Sequence, residues 1–130
     1  MSAATDAPRP WTPRNSAELY GMEDWGLGYF AVSPRGTVEV FPDPSQDRRV
    51  DLFEVIQGLE ARGICPPVIL RFPGILAHRM QKLRRVFDGA IAELDYTGSY
   101  TCVYPIKVNQ QRNICEEIRD LGVELGFGIE

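Results

Sequence analysis

The sequence predicts an α/β fold, because strands and helices alternate through its second half. Apolar, β-prone runs at residues 68–72, 101–108 and 123–129 predict strands. Apolar residues at helical spacing between these runs predict one helix that ends near Leu94 and another over residues 111–121. This order is typical of parallel strands connected by right-handed helical crossovers. A closed eight-stranded barrel of that class typically needs about 250 residues, so a chain of 130 residues can form only part of one.

The N-terminal part of the chain predicts two other regions. Residues 1–18 carry three prolines among small and polar residues, a composition typical of a disordered leader. Residues 19–50 predict a β-hairpin region, in which β-prone runs at 29–32 and 37–41 flank a Ser-Pro-Arg-Gly turn. A two-stranded hairpin is marginally stable alone, so we expect this one to pack on other residues.

Residues 51–130 predict the first β/α units. Asp51 is the expected N-cap of a helix and Gly63 its expected C-cap. The clearest helix in the sequence follows the 68–72 strand, and its apolar face consists of Met80, Leu83, Phe87, Ala90, Ile91 and Leu94. Gly122 is the expected residue that ends the next helix.

One lysine, Lys107, interrupts an otherwise apolar strand. Strict alternation along a strand would place Val103, Pro105 and Lys107 on one face. Catalytic groups of α/β barrels lie at the carboxyl ends of the strands. Desolvation there favours a neutral amine, which can attack a carbonyl carbon and form a Schiff base. The alternative is a structural lysine that extends from the strand end into solvent, and the run alone leaves both interpretations open.

Residues 104–110, Tyr-Pro-Ile-Lys-Val-Asn-Gln, resemble the cofactor-lysine segment of biosynthetic arginine decarboxylases. These enzymes use pyridoxal 5'-phosphate (PLP) and belong to the alanine-racemase-like barrel group. Further segments resemble the same family in the same order, at residues 25–30, 42–44, 49–52, 72–79 and 125–130. The resemblance implies an N-terminal fragment of a PLP-binding (β/α)8 TIM-type barrel, incomplete and preceded by the β-hairpin region.

The same resemblance implies the activity and its site. The full-length enzyme would decarboxylate L-arginine to agmatine and CO2, in polyamine and spermidine biosynthesis, with PLP bound as a Schiff base on Lys107. Glu130, at the expected end of the next strand, would be a cofactor-binding carboxylate that steadies the lysine; the alternative is an exposed acid. The residues that bind phosphate and arginine would follow Glu130, so the fragment alone would be inactive. Homo-oligomers and associated Mg²⁺ are also implied.

Two other functions stay open from the sequence. The first is another decarboxylase or a racemase of the same PLP barrel group. The second is a non-catalytic α/β module in which Lys107 is structural. The ending Lys-Val-Asn-Gln and the long collinear match favour arginine decarboxylase over the first. A chain that ends at Glu130 and folds as a compact monomer would favour the second.

Composition excludes several other classes of function. The net charge of −4, with both signs interspersed, argues against a nucleic-acid surface. No apolar stretch approaches the roughly 18 residues of a membrane span. Three cysteines without Cys-x-x-Cys spacing predict reduced thiols in the cytoplasm and no metal site. His78 is the only histidine, so no multi-histidine metal site can form within the chain.

Overall fold

Short strands and longer helices make up the computed structural model, which describes residues 10–44 and 47–130. The described residues divide into two compact units, one that ends at Leu70 and one that begins at Arg71. The elements of the first unit are helix α1 (Pro13–Leu19), helix α2 (Met22–Gly26), strand β1 (Phe30–Val32), strand β2 (Val38–Val40), strand β3 (Val50–Asp51) and helix α3 (Leu52–Glu60). Those of the second are helix α4 (Pro73–Glu93), strand β4 (Cys102–Tyr104), a 3-10 turn (Ile106–Val108), helix α5 (Arg112–Leu125) and strand β5 (Phe127–Ile129).

The first unit contains the predicted β-hairpin. β1 and β2 pair antiparallel, and β3, which the sequence did not indicate, adds a third strand in the order β1-β2-β3. The hydroxyl of Ser33 accepts the backbone N–H groups of Arg35 and Thr37 at 3.1 and 3.2 Å, which fixes the turn. Gly36 has a φ of 83°, a conformation that glycine adopts without strain. Val40 is fully buried, and it forms the centre of this unit with Tyr29 and Met22.

Helix α1 differs from the prediction of a disordered leader over residues 1–18. The Thr12 hydroxyl accepts the Asn15 N–H, and the Asn15 side chain accepts the Thr12 N–H, so the two form a capping box. Pro13 follows at the first helical position, where a proline is favoured because no N–H is needed there. Residues 1–9 of the predicted leader lie outside the described residues.

Helix α3 begins where the sequence predicted. The carboxylate of Asp51 accepts the N–H groups of Phe53 and Glu54 at 2.9 and 3.3 Å. Its C-cap is Ala61 and not Gly63, which takes a positive φ two residues later. The strand predicted at residues 68–72 is wrong. A strand needs a hydrogen-bonded neighbour, and none of the described strands pairs with that segment.

The second unit contains the predicted parallel β-α-β connection. β4 and β5 pair in parallel, with Cys102 opposite Phe127 and Tyr104 opposite Ile129, and α5 connects them. α5 is longer than predicted and ends at Leu125, and Gly126 caps it with a φ of 69°. Gly122 is therefore an interior, buried helix residue and not the helix end.

Gly122 allows α5 to pack closely on β5. A Cβ atom at Gly122 would lie 2.9 Å from the carbonyl oxygen of Phe127 and 3.2 Å from its Cβ atom. One turn earlier on the same helix, Ile118 is 2% exposed and is the best buried side chain of this unit. Close packing therefore explains the glycine at position 122. From the sequence alone, such a glycine cannot be distinguished from one that ends a helix.

The predicted helix α4 is present, but only a small part of its apolar face is buried. Met80 is buried, whereas Leu83, Phe87 and Leu94 are exposed. In the small parallel sheet, Val103 and Ile129 are exposed as well. The α/β class is confirmed, and the described residues contain a three-stranded and a two-stranded sheet but no closed barrel.

Candidate functional site around Lys107

Lys107 lies on a turn directly after β4 and not within the strand. β4 ends at Tyr104, Pro105 is extended, and residues Ile106–Val108 form a single 3-10 turn. The predicted alternation that continued along the strand to Lys107 is therefore wrong. β4 ends one residue before Pro105, which has no N–H to donate to a strand ladder. Lys107 itself is exposed. This exposure agrees with a lysine that binds a cofactor and equally with a structural lysine that extends into solvent.

The structure brings the backbones of Lys107 and Glu130 to the same edge of the parallel sheet. The Glu130 N–H donates to the carbonyl of Tyr104, and the Ile106 N–H donates to the carbonyl of Glu130, both at 3.0 Å. These bonds continue the ladder past Pro105, whose nitrogen faces away from β5. The lysine turn and Glu130 thus lie at the carboxyl ends of neighbouring parallel strands.

The two side chains themselves are exposed. No ion pair joins them in the described part of the chain. The arrangement therefore offers one amine and one carboxylate at a common edge, each open to a further group. An exposed primary amine beside a strand end can react with an aldehyde, which is the chemistry that a PLP-binding lysine requires.

Asn109, which the sequence did not indicate as a site residue, holds the end of the lysine turn. Its N–H donates to the carbonyl of Ile106 at 3.1 Å, and its side-chain Oδ1 accepts the Gln111 N–H at 3.1 Å. Its carbonyl lies 3.4 Å from the Tyr104 hydroxyl and 3.8 Å from the Cys115 Sγ. An asparagine two residues before the N-cap of a helix is a typical signal for such a local turn, and it could have been recognised in the sequence.

Arg84 stabilises the entry to β4. Its guanidinium pairs with both carboxylate oxygens of Asp88, at 2.9 and 2.7 Å, and donates to the carbonyl of Tyr100 at 3.0 Å. The Tyr100 ring stacks on Phe87 with 3.9 Å between ring centroids. Burial, and then the neighbouring Cys102 thiol, raise the pKa of the Tyr100 hydroxyl. Arg84 thus has a structural role on α4.

A surface cleft of about 700 Å³ lies between α4 and the end of α5. Arg84, Arg85 and Asp88 line it on one side and Glu124 and Gly126 on the other. Its charges are mixed, and Arg84 is already engaged with Asp88 and Tyr100. The cleft therefore offers no clear selection for an anionic or a cationic ligand.

The first unit contains its own polar cluster at the start of α3. The Asp51 carboxylate, 6% exposed, accepts the Thr37 hydroxyl at 2.6 Å and the Arg35 guanidinium at 2.7 Å. Arg35 also binds Glu54 at 2.7 Å. The Thr37 hydroxyl, followed by the backbone N–H groups of Glu54 and Phe53 and by Arg35, lowers the pKa of Asp51 against the opposing effect of burial. This cluster joins the hairpin turn to the helix start.

The other candidates from the sequence do not assemble into a site. Across residues 10–44 and 47–130, no three side chains among His, Cys, Asp and Glu come together as metal ligands would. The three cysteines are free thiols, with Cys65 exposed and the other two half-buried. In the same ranges, no helix combines the length and the apolar character that crossing a bilayer requires.

No protein-family model matches the chain. Individual proteins named biosynthetic arginine decarboxylase do match. The one from Rhodopirellula baltica is 43% identical over 130 residues, which is 100% of this chain and 19% of the relative. The one from Gloeobacter violaceus is 42% identical over 92% of this chain, and the one from Pseudomonas putida is 45% identical over 83% of it.

These matches cover nearly the whole chain but only a small part of each relative. The chain spans about a fifth of the length of the curated relatives it matches, 19%, 19% and 17% for these three. The similarity is consistent with an N-terminal fragment, as the sequence resemblance indicated. The resemblance of this chain to the biosynthetic arginine decarboxylases is therefore confirmed over nearly its whole length.

Proposed function

We propose that this chain is part of a PLP-dependent enzyme that decarboxylates L-arginine to agmatine and CO2. The observation that carries the proposal is the similarity of the chain, over nearly all its residues, to proteins named biosynthetic arginine decarboxylase. The position of Lys107 at the carboxyl end of a parallel strand supports it, because catalytic groups of β/α barrels lie at that end. No observation favours a racemase or a non-catalytic module over this activity.

We further propose that β4, α5 and β5 are one unit of an incomplete PLP-binding (β/α)8 barrel within residues 51–130, which the β-hairpin region of residues 19–50 precedes. Parallel sheets are normally covered on both faces. The Val103 and Ile129 side chains are 47% and 42% exposed, so this sheet lacks such cover. Their exposure supports a sheet that further strands and helices complete.

The residues present fit one part of a PLP site. Lys107 supplies the amine that would bind the PLP aldehyde, and the anchored turn would hold that amine at the strand end. Glu130, at the same edge, would stabilise the positive charge of the lysine when its amine is released. PLP supplies the electron sink for loss of CO2 when it is bound. Groups for the PLP phosphate and for the arginine guanidinium would come from elsewhere in the protein.

The remaining inferences also follow from the resemblance. We expect homo-oligomers, associated Mg²⁺, a cytoplasmic location and a role in polyamine biosynthesis. We also expect these 130 residues alone to be inactive, since they offer only the amine and one carboxylate of the site.

Arginine-dependent CO2 release tests the activity in the intact protein, with any sequence that its gene encodes beyond these residues. The chain contains two lysines, Lys82 and Lys107. Lys82 is exposed on α4 and provides a matched control. Lys107→Ala should abolish CO2 and agmatine production, and Lys82→Ala should leave both unchanged. Normal turnover by the Lys107→Ala protein would refute the role of this lysine, and an unsubstituted protein without turnover on arginine would refute the activity.

A further inference from the structure

The turn that carries Lys107 is too short to be stable by itself. Its own backbone contributes two hydrogen bonds, from Val108 N–H to the Pro105 carbonyl at 3.2 Å and from Asn109 N–H to the Ile106 carbonyl at 3.1 Å. Single 3-10 turns have poor hydrogen-bond geometry and depend on their flanking residues. Because Lys107 is exposed, packing of its own side chain does not fix it either. The groups on both sides of the turn must hold it.

On the strand side, β5 fixes the turn. The Ile106 N–H donates to the Glu130 carbonyl at 3.0 Å, and this bond attaches the first residue of the turn to the neighbouring strand. On the helix side there is no equivalent ladder, since the chain passes through residues 109–111 into α5. Gln111, the N-cap of α5, uses no side-chain hydrogen bond to cap the helix.

Asn109 supplies the missing attachment on the helix side. Its Oδ1 accepts the Gln111 N–H at 3.1 Å, and its N–H is bonded to the turn. Its carbonyl faces donors from two elements, the Tyr104 hydroxyl of β4 and the Cys115 thiol of α5. At 3.4 and 3.8 Å these last contacts are long, so the bond through Oδ1 is the strongest side-chain contribution. One half-buried residue thus links strand, turn and helix.

We propose that Asn109 is a positioning residue for Lys107. Its side-chain Oδ1 holds the start of α5 against the end of the lysine turn, so that the Lys107 amine projects from a fixed backbone. The inference rests on the proposed function, because a position for the amine matters only if PLP binds there. Loss of one such hydrogen bond should raise the PLP concentration for half-maximal binding by about five-fold.

The test compares three variants of the intact protein. Asn109→Ala removes the Oδ1 acceptor, and Asn109→Asp retains it. Asn113→Ala removes an exposed asparagine four residues later on α5 and is the matched control. Two properties are measured: amide hydrogen exchange of residues 106–111 without PLP, and the PLP concentration that gives half-maximal borohydride trapping on Lys107.

The proposal predicts faster exchange at Gln111 and a higher half-maximal PLP concentration for Asn109→Ala alone, with both restored in Asn109→Asp. If Asn109→Ala traps PLP at the same concentration as the unsubstituted protein, or if Asn109→Asp is as impaired as Asn109→Ala, the positioning role is refuted. If the unsubstituted protein traps no PLP on Lys107, the proposed function fails first, whatever the exchange rates show. The two failures are therefore distinguishable.

Discussion

Replacement of Gly122 by alanine should destabilise the second unit, although alanine is the better helix former. In a helix interior, exchange of glycine for alanine contributes about 0.5–1 kcal/mol of stability by itself. At Gly122 the new Cβ would lie 2.9 Å from the Phe127 carbonyl oxygen, which belongs to the backbone of β5 and cannot rotate away. Overpacking of this kind typically costs about 1–3 kcal/mol. We therefore expect Gly122→Ala to lower the free energy of unfolding by about 0.5–2 kcal/mol.

Gly89 of α4 provides the matched control for this substitution. It is an exposed interior helix residue, and a Cβ atom there would meet nothing within 4 Å. Gly89→Ala should therefore retain the full gain of about 0.5–1 kcal/mol. The gain in helix propensity is common to both variants. The difference between their free energies of unfolding therefore measures the contact with Phe127 alone.

Urea unfolding followed by far-ultraviolet circular dichroism measures both variants. With a denaturant dependence of about 1.5 kcal/mol per M, a gap of about 2 kcal/mol moves the midpoints apart by about 1.3 M. Gly122→Ala should unfold at the lower urea concentration and Gly89→Ala at the higher. Equal midpoints, or a higher midpoint for Gly122→Ala, would refute the close approach of α5 and β5.

Two further substitutions test the cluster at Asp51 and the packing of α5. Asp51 has a lowered pKa in the folded chain, with the Thr37 hydroxyl as the largest cause, so its contribution to stability is present above its unfolded pKa of about 3.9 and is lost as the pH falls through the folded value. Asp51→Asn should therefore lower the thermal unfolding midpoint at pH 7 and have progressively less effect below about pH 4; an effect that is constant with pH would contradict this account. Ile118→Ala should cost about 2–5 kcal/mol in urea unfolding, because the side chain is 2% exposed. Val123→Ala on the same helix, at an 83% exposed position, should cost little, and equal losses would show that Ile118 is not buried.

Local signals in the sequence predicted most of the elements whose turns or caps are formed by neighbouring residues. The turn residues around Ser33 and Gly36 specified the hairpin, and the Asp51 carboxylate specified the start of α3. The parallel pairing of β4 and β5 followed from the order of strand, helix and strand. The hairpin turn and the helix start depend on residues that are close in sequence, and the parallel pairing depends on the order of the elements, so a sequence pattern can represent all three.

The differences arose where contacts between separate elements decide the structure. Residues 68–72 have strand composition, but composition does not supply the neighbouring strand that they lack among the described residues. Gly122 was predicted to end a helix because helix-ending glycines are common, whereas its contact with Phe127 is visible only after folding. Helix α1 is an exception, since the Thr12 and Asn15 capping box was present in the sequence but the prolines dominated the prediction.

The candidate site was predicted in part. The sequence proposed Lys107 and Glu130 as candidates, and the structure places their backbones at one sheet edge through the bonds of Glu130 to Tyr104 and Ile106. The sequence did not reveal that Lys107 lies on a 3-10 turn, because the exit from a strand depends on where the partner strand ends. Nor did it assign a role to Asn109, whose partners come from the strand before it and the helix after it.

Covalent trapping of PLP tests the role of Lys107 most directly. The intact protein is incubated with PLP and reduced with borohydride, and its peptides are then mapped by mass spectrometry. Because Lys82 and Lys107 are the only lysines in these 130 residues, each serves as the reference for the other. We predict PLP on the Lys107 peptide, little or none on the Lys82 peptide, and no label at this position in Lys107→Ala. Equal labelling of both lysines, or labelling of neither, would contradict the assignment of Lys107 as the cofactor lysine.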